Sequence, residues 1–282
     1  MTWTIGTILN WTRQYFMDKG VGNPRLDAEV LLSHILCKDR LYLYVNFDKP
    51  LLVNELAAFR EAVKKRVMRL PVAYITGSKE FMGLEFMVNE AVLIPRPDTE
   101  ILVEAAIALL AELKTPDLLD LGTGSGAIIV SVIKKISTAI GIGVDISRSA
   151  LEVASANAVK HEVAKNITFL CGDLWQPVVS KKFDAILSNP PYIIEGEIEL
   201  LQAEVKREPY GALAGGSDGL EFYRRLVKEG HLYLKEKGFM ALETGAGQAA
   251  AVSKLAEKSL LKTKKIIKDY SGIERVVILR LR

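Results

Sequence analysis

From the amino terminus to about residue 73, apolar side chains recur at helical spacing. Ile8, Leu9, Trp11 and Tyr15 form one stripe, and Ala28, Leu31, Leu32, Ile35 and Leu36 form a second. Pro24 opens the second run. A third, from Leu51 to Leu70, carries Leu52, Leu56, Phe59, Val63 and Val67 on one face and stops at Pro71. The pattern predicts a small all-helical domain over residues 1–73. Between Ala73 and Pro95 it changes to short β-like pieces: Tyr74 and Ile75, Glu80 to Met82, a turn at Gly83, then Leu84 to Val88. This predicts a β-hairpin linker over residues 74–95. Asp98, after Pro95 and Pro97, is expected to cap a helix through Leu113 whose face is Ile101, Leu102, Ala105, Ala106 and Leu109.

Beyond Pro116 the periods alternate. Strands are predicted at Leu118 to Leu121, Ala139 to Asp145, Ile167 to Cys171, Phe183 to Ser188 and Phe239 to Glu243. Helices are predicted from Gly126 to Ile136 and from Ser147 to Lys160. Such alternation implies an α/β domain, residues 96–282, built on a parallel sheet. Lys264 to Lys268 and Val276 to Leu281 are expected to close it as an antiparallel pair. Neither an internal repeat nor a low-complexity segment is present.

Composition narrows the class without changing this outline. The 282 residues are 49% hydrophobic and 25% charged, as in ordinary globular proteins. A net charge of +3 does not demand a nucleic-acid partner. The basic runs at Arg60 to Arg69 and Lys254 to Lys268 read as solvated helix faces. Cys37 and Cys171 stand far apart in apolar stretches, which predicts two buried thiols and a reducing compartment. No basic leader and no apolar run of membrane length is seen, so a cytoplasmic location is expected.

The candidate chemistry gathers at predicted strand ends. The first strand runs into Asp120-Leu121-Gly122-Thr123-Gly124-Ser125-Gly126-Ala127, whose glycines permit a sharp turn and close approach of a ligand to a helix amino terminus. Asp145 ends the next strand, where a carboxylate can accept hydrogen bonds from ribose hydroxyls. Asp173 follows the third, in Cys171-Gly172-Asp173-Leu174-Trp175, placed to meet an adenine amino group beside an apolar wall. These features also suit a dinucleotide, and so a nicotinamide-dependent oxidoreductase. The fourth strand separates the readings, because it ends in Ser188-Asn189-Pro190-Pro191-Tyr192, for which a dehydrogenase has no use.

An amide or aromatic amine nitrogen is a poor nucleophile because its lone pair is delocalised. The Asn189 side-chain oxygen and the Pro190 carbonyl can each accept one of its N–H groups, turning the lone pair toward a sulfonium methyl. Tyr192 can lie against the planar group, while Pro190 and Pro191 stiffen the turn. The same acceptors stabilise the positive charge that develops on nitrogen. No metal motif is found: His34, His161 and His231 are scattered along helical stretches. Gly215-Gly216-Ser217-Asp218-Gly219 matches a serine-hydrolase elbow by letter, but no apolar strand leads into it and no triad histidine is placed for it.

Together the motifs resemble the release-factor glutamine methyltransferase family, also called PrmC or HemK, over essentially the whole chain. The resemblance is carried by Pro71 to Gly77, Phe81 to Phe86, Ile94 to Glu100, Asp120 to Gly126, Asn189 to Tyr192, Glu208-Pro209 with Ala212-Leu213, and Gly215-Gly216-x-Asp218-Gly219-Leu220. It implies a Rossmann-like, seven-stranded, doubly wound sheet with the last strand antiparallel, a helical domain that helps engage the release factor, and a hairpin linker. S-adenosyl-L-methionine is the implied cofactor, leaving as S-adenosyl-L-homocysteine, and the glutamine of a Gly-Gly-Gln tripeptide is the implied substrate. By position, Gly122, Thr123, Gly124, Ser125, Gly126, Asp145, Asp173, Leu174 and Asn189 are expected at the cofactor. Asn189, Pro190, Pro191 and Tyr192 are expected at the glutamine, and Arg96 to Glu100 along the same cleft. Thr244 to Gln248 has no assigned role. The nearest rival, an adenine-N6 methyltransferase acting on DNA or RNA, poses the same planar-nitrogen problem but finds no nucleic-acid module here. A further rival is a non-enzymatic translation-factor binder that keeps the pocket as a structural element.

Overall fold

The computed structural model describes residues 2–282, which fall into two compact units: residues 2–77 with Gln202–Arg207, and Ser78–Leu201 with Glu208–Arg282.

The first unit is helical: α1 (Ile5–Asp18), α2 (Pro24–Leu36), α3 (Arg40–Val45), α4 (Val53–Val67) and α5 (Val72–Thr76). Its core gathers Ile8, Leu9, Phe16, Leu31, Leu32, Phe59 and Val63, most of them from the predicted stripes. The buried Arg66 is held by Asp27 at 2.7 Å and by Glu204 at 2.8 Å, so its charge is compensated inside the unit. Tyr74 and Ile75, expected as a β-like piece, belong to α5. Pro71 stands at its N-cap and Gly77 ends it in the left-handed conformation, and this proline-before, glycine-after bracketing decides for a helical turn.

In the second unit, β1 (Ser78–Phe81) and β2 (Leu84–Met87) form a hairpin across Met82 and Gly83, both at positive φ as a two-residue hairpin turn requires. Then follow α6 (Pro97–Leu110), β3 (Asp117–Leu121), α7 (Ala127–Lys135), β4 (Ile140–Asp145), α8 (Arg148–Lys160), β5 (Ile167–Cys171), β6 (Phe183–Ser188), α9 (Glu221–Gly230), β7 (Leu234–Glu243), α10 (Ala249–Glu257), β8 (Leu261–Lys268) and β9 (Glu274–Leu281). The seven-stranded sheet has the order β5-β4-β3-β6-β7-β9-β8. The neighbours from β5 through β7 pair in parallel, and the last strand, β9, inserts antiparallel between β7 and β8. This is the expected Rossmann-like architecture.

Both sheet faces are covered, so alternate residues of one strand enter different cores. Ala185 and Leu187 of β6 join one cluster and Ile186 the other; Phe239 and Ala241 of β7 are likewise separated from Met240 and Leu242. The chain leaves β3 toward β4 on one side, and β6 lies on the other. A crevice therefore opens at the carboxyl end of β3.

Two further expectations are corrected. Asp98 is not the cap of α6: Arg96 is the N-cap, Pro97 holds the first helical position, and the Asp98 carboxylate pairs with Arg275 at 3.0 Å. Cys37 and Cys171 are exposed rather than buried. Cys37 caps α2 in a left-handed conformation, and Cys171 is the last residue of the sheet's edge strand, so apolar neighbours in sequence do not cover either thiol. Among the described residues no helix is long and apolar enough to cross a membrane.

Candidate active site

A cavity of about 430 Å³ lies at the carboxyl ends of β3, β4, β5 and β6. Its wall includes Gly122, Gly124, Asp145, Asp173, Leu174 and Asn189 of the residues nominated for a cofactor, together with Pro190 and Pro191. Val92, Leu93, Ala212 and Phe222 add an apolar side.

The glycine turn shapes the floor. Gly122 and Gly124 have φ of +72° and +53°, and a Cβ at either would project into open space with no atom within 4 Å. These two glycines therefore offer bare backbone to a ligand. Thr123, Ser125 and Gly126 do not line the cavity; they build the loop. The Thr123 hydroxyl donates to Asp120 Oδ2 at 2.7 Å, the Ser125 carbonyl accepts from Asn157 Nδ2 at 2.9 Å, and Gly126, at φ +77°, is the N-cap of α7.

Asp145 accepts from the Gly124 amide through Oδ2 and from the Ser147 amide through Oδ1, each at 2.9 Å. A carboxylate has about four acceptor positions, so two remain for hydroxyl donors. Asp173 pairs with Arg225 at 2.6 Å through Oδ2. Leu174 has φ +48°, a left-handed conformation that costs a non-glycine residue about 1 kcal/mol and marks a constrained wall.

At the end of β6, Asn189 Nδ2 donates to Thr99 Oγ1 at 3.1 Å. That leaves Oδ1 as the acceptor that Asn189 offers to the cavity. The Pro190 carbonyl accepts no hydrogen bond among the described residues. Two uncommitted acceptors thus stand on consecutive residues. The turn is strapped from behind: Ile193 N–H donates to Leu213 O at 3.0 Å, Gly215 N–H donates to Ile193 O at 2.8 Å, and Gln248 Nε2 donates to Tyr192 O at 3.0 Å. Tyr192 lies outside the cavity wall. Burial first, and then the nearby Glu243 carboxyl, push its phenol up to about 12, so it stays protonated.

Residues 7–77 match the PrmC N-terminal domain family, and residues 98–206 match the methyltransferase small domain family. The release factor glutamine methyltransferase of Geobacter sulfurreducens is 45% identical over 98% of this chain and 96% of its own length. The chain belongs to the release factor glutamine methyltransferase family. The relative of the same name from Fusobacterium nucleatum is 39% identical over 96% of this chain and 77% of its own length. A methyltransferase structure from Pyrococcus furiosus, at 19% identity, superposes with a TM-score of 0.52 over 82% of this chain and 98% of that one, a likeness of fold.

None of Arg96 to Glu100, expected along the cleft, lines the cavity; Arg96 and Thr99 stand behind the turn instead, with Glu243 and Gln248, for which the sequence suggested no role. Thr99 accepts from Asn189, Gln248 donates to the Tyr192 carbonyl, and Glu208, itself buried, accepts from the Ile94 amide at 3.0 Å and pairs with Arg96. The available signal was a lone carboxylate, Glu243, closing the apolar run Phe239 to Leu242.

Burial drives two carboxyls upward. Asp120 is pushed to about 7 by burial, with the Thr123 hydroxyl opposing and the Asp145 charge adding. Glu243 is likewise raised to about 7 by burial; the Thr99 hydroxyl, Arg275 and Arg96 oppose, and Asp98 adds. A carboxyl raised in the folded state keeps a proton that the unfolded chain has already lost. Its contribution to stability is full below about pH 4 and is lost as pH rises to about 7, on the order of 3 kcal/mol for each group. The urea midpoint of the ligand-free protein is therefore expected to fall between about pH 5 and about pH 7.5, and Asp120→Asn to remove about half of that fall. Denaturation at a series of pH values measures it.

Proposed function

We propose that this protein transfers a methyl group from S-adenosyl-L-methionine to the side-chain amide nitrogen N5 of the glutamine in the Gly-Gly-Gln motif of peptide chain release factors. The observation that carries the reading is the pair of uncommitted acceptors, Asn189 Oδ1 and the Pro190 carbonyl, at the wall of a glycine-floored cavity in a chain of this family.

The residues present fit the cofactor. Gly122 and Gly124 leave space that side chains would fill, Asp145 keeps two acceptor positions for the ribose hydroxyls, and Leu174 with Val92 and Leu93 gives an apolar wall for the adenine. Asp173 takes the adenine amino group through the oxygen that Arg225 leaves free. When bound, S-adenosylmethionine supplies an activated methyl group on a sulfonium. The protein's part is positioning and electrostatics. Asn189 Oδ1 and Pro190 O each accept one N–H of the glutamine amide, turn its lone pair toward the methyl and stabilise the charge that grows on nitrogen. Tyr192 and the two prolines keep the acceptors in place, and one amide proton leaves to water after transfer.

The helical unit, residues 1–73 in this reading, engages the release factor. Its exposed Leu41, Tyr44, Val45, Leu52 and Val53 supply apolar surface for a protein partner. Two assays test the reading. Labelled methyl from S-adenosylmethionine should enter an unmethylated release factor and not DNA or RNA offered alongside it; the reverse partition sinks the proposal. Asp145→Ala removes charge-assisted bonds worth about 2 kcal/mol, so the dissociation constant for S-adenosylmethionine is expected to rise about 30-fold by calorimetry.

A further inference from the structure

The parallel register of β6 and β7 sets Ser188 opposite Leu242, so Asn189 and Glu243 stand side by side at the carboxyl end of the sheet. Glu243 is 1% exposed and is absent from the cavity wall, so it cannot touch a ligand there. Between the two stands Thr99, in the first turn of α6 and 5% exposed. Its oxygen accepts from Asn189 Nδ2 at 3.1 Å, and its hydroxyl is the group that most opposes the burial-driven rise of the Glu243 pKa. A threonine hydroxyl has a single proton. Committed to Glu243, it leaves Thr99 Oγ1 able only to accept toward Asn189, which dictates which end of the Asn189 amide faces inward.

We propose that Glu243 acts through Thr99 as a positioning residue for methyl transfer, holding the Asn189 amide with its oxygen toward the substrate nitrogen. The inference rests on the methyl-transfer reading above. A negative charge at the far end of a hydrogen-bond chain also polarises the groups along it, so Asn189 Oδ1 becomes a stronger acceptor as the amide nitrogen turns positive. Glu243 Oε2 has no hydrogen-bond partner, so this buried carboxyl is held largely by Thr99 and by the fields around it. Those fields come from Arg96 and Asp98 at the start of α6, Arg275 in β9, and Tyr192 and Tyr223, both of which sense the Glu243 charge. With burial raising its pKa to about 7, the ionised form that orients Thr99 is lost as pH falls below neutrality.

The test compares Glu243→Gln, Thr99→Val and Thr99→Ser with the unaltered enzyme, using release factor as substrate and S-adenosylmethionine titrated separately. Thr99→Val and Glu243→Gln are expected to lower kcat by about tenfold or more, with S-adenosylmethionine affinity within about threefold, and Thr99→Ser to recover most of the Thr99→Val loss. The unaltered enzyme should lose kcat about tenfold per pH unit below about pH 7, and Glu243→Gln should flatten that limb. Glu243→Gln and Thr99→Val with unaltered kcat and an unchanged acid limb would overturn the inference while leaving the methyl-transfer reading intact. Failure of the unaltered enzyme to methylate release factor at any pH would overturn both.

Discussion

Asn189→Ala is expected to slow methylation of the release-factor glutamine by about 10³-fold, the loss typical of removing one acceptor or donor aimed at developing charge. The substitution deletes Oδ1, one of the two acceptors offered to the substrate amide, and also frees Thr99 Oγ1 from its 3.1 Å bond. Because Asn189 also lies on the cavity wall, some weakening of cofactor binding accompanies it, within about tenfold, so most of the loss falls in kcat. Asn189→Asp separates the two roles. It keeps an acceptor for the substrate but sets an oxygen where Nδ2 now donates to Thr99, and Thr99 has no second proton to give. A fall of about 10²-fold is expected for Asn189→Asp in single-turnover assays with cofactor saturating. Activity in Asn189→Ala within about tenfold of the unaltered enzyme would show that the Pro190 carbonyl alone suffices.

The second large effect comes from a glycine outside the cavity wall. A Cβ on Gly215 would lie 2.7 Å from Tyr192 Cα, 2.8 Å from Tyr192 C and 2.9 Å from Pro191 O, all backbone atoms that cannot swing aside. Gly215 does not have positive φ, so alanine adds no torsional strain and acts only by pushing the Pro191-Tyr192 turn away. Displacement of a positioning group by about 1 Å is enough to cost about 10²-fold. Gly215→Ala is therefore expected to lower kcat by about that factor while the cofactor still binds through Gly122, Gly124 and Asp145. Unchanged kcat in a folded Gly215→Ala variant would contradict the strapped-turn geometry.

What could be read from the chain divides along a physical line. The strand ends and the turns that follow them are local, so the glycine turn after β3, Asp145 at the end of β4 and Asn189 after β6 were nominated from their own neighbourhoods, and the fold followed from alternating periods. Thr99 was expected near the cleft only as part of Arg96 to Glu100, and Glu243 and Gln248 reach the site only through sheet register and helix packing. No local pattern marks a threonine in the first turn of α6 as the partner of an asparagine 90 residues later. The Gly215 to Gly219 run was legible as a motif without a use, and its use is close packing under Tyr192. The misread thiols have a similar origin: apolar neighbours predict burial of a segment, not of a residue at its end.

The most direct test of the central assignment is mass spectrometry of a purified, unmethylated release factor after incubation with this protein and S-adenosylmethionine. The expected result is one methyl group, localised by fragmentation to the side chain of the Gly-Gly-Gln glutamine, and greatly reduced with Asn189→Ala. An unmodified glutamine, with methyl groups instead on adenine of DNA or RNA supplied in the same reaction, would contradict it.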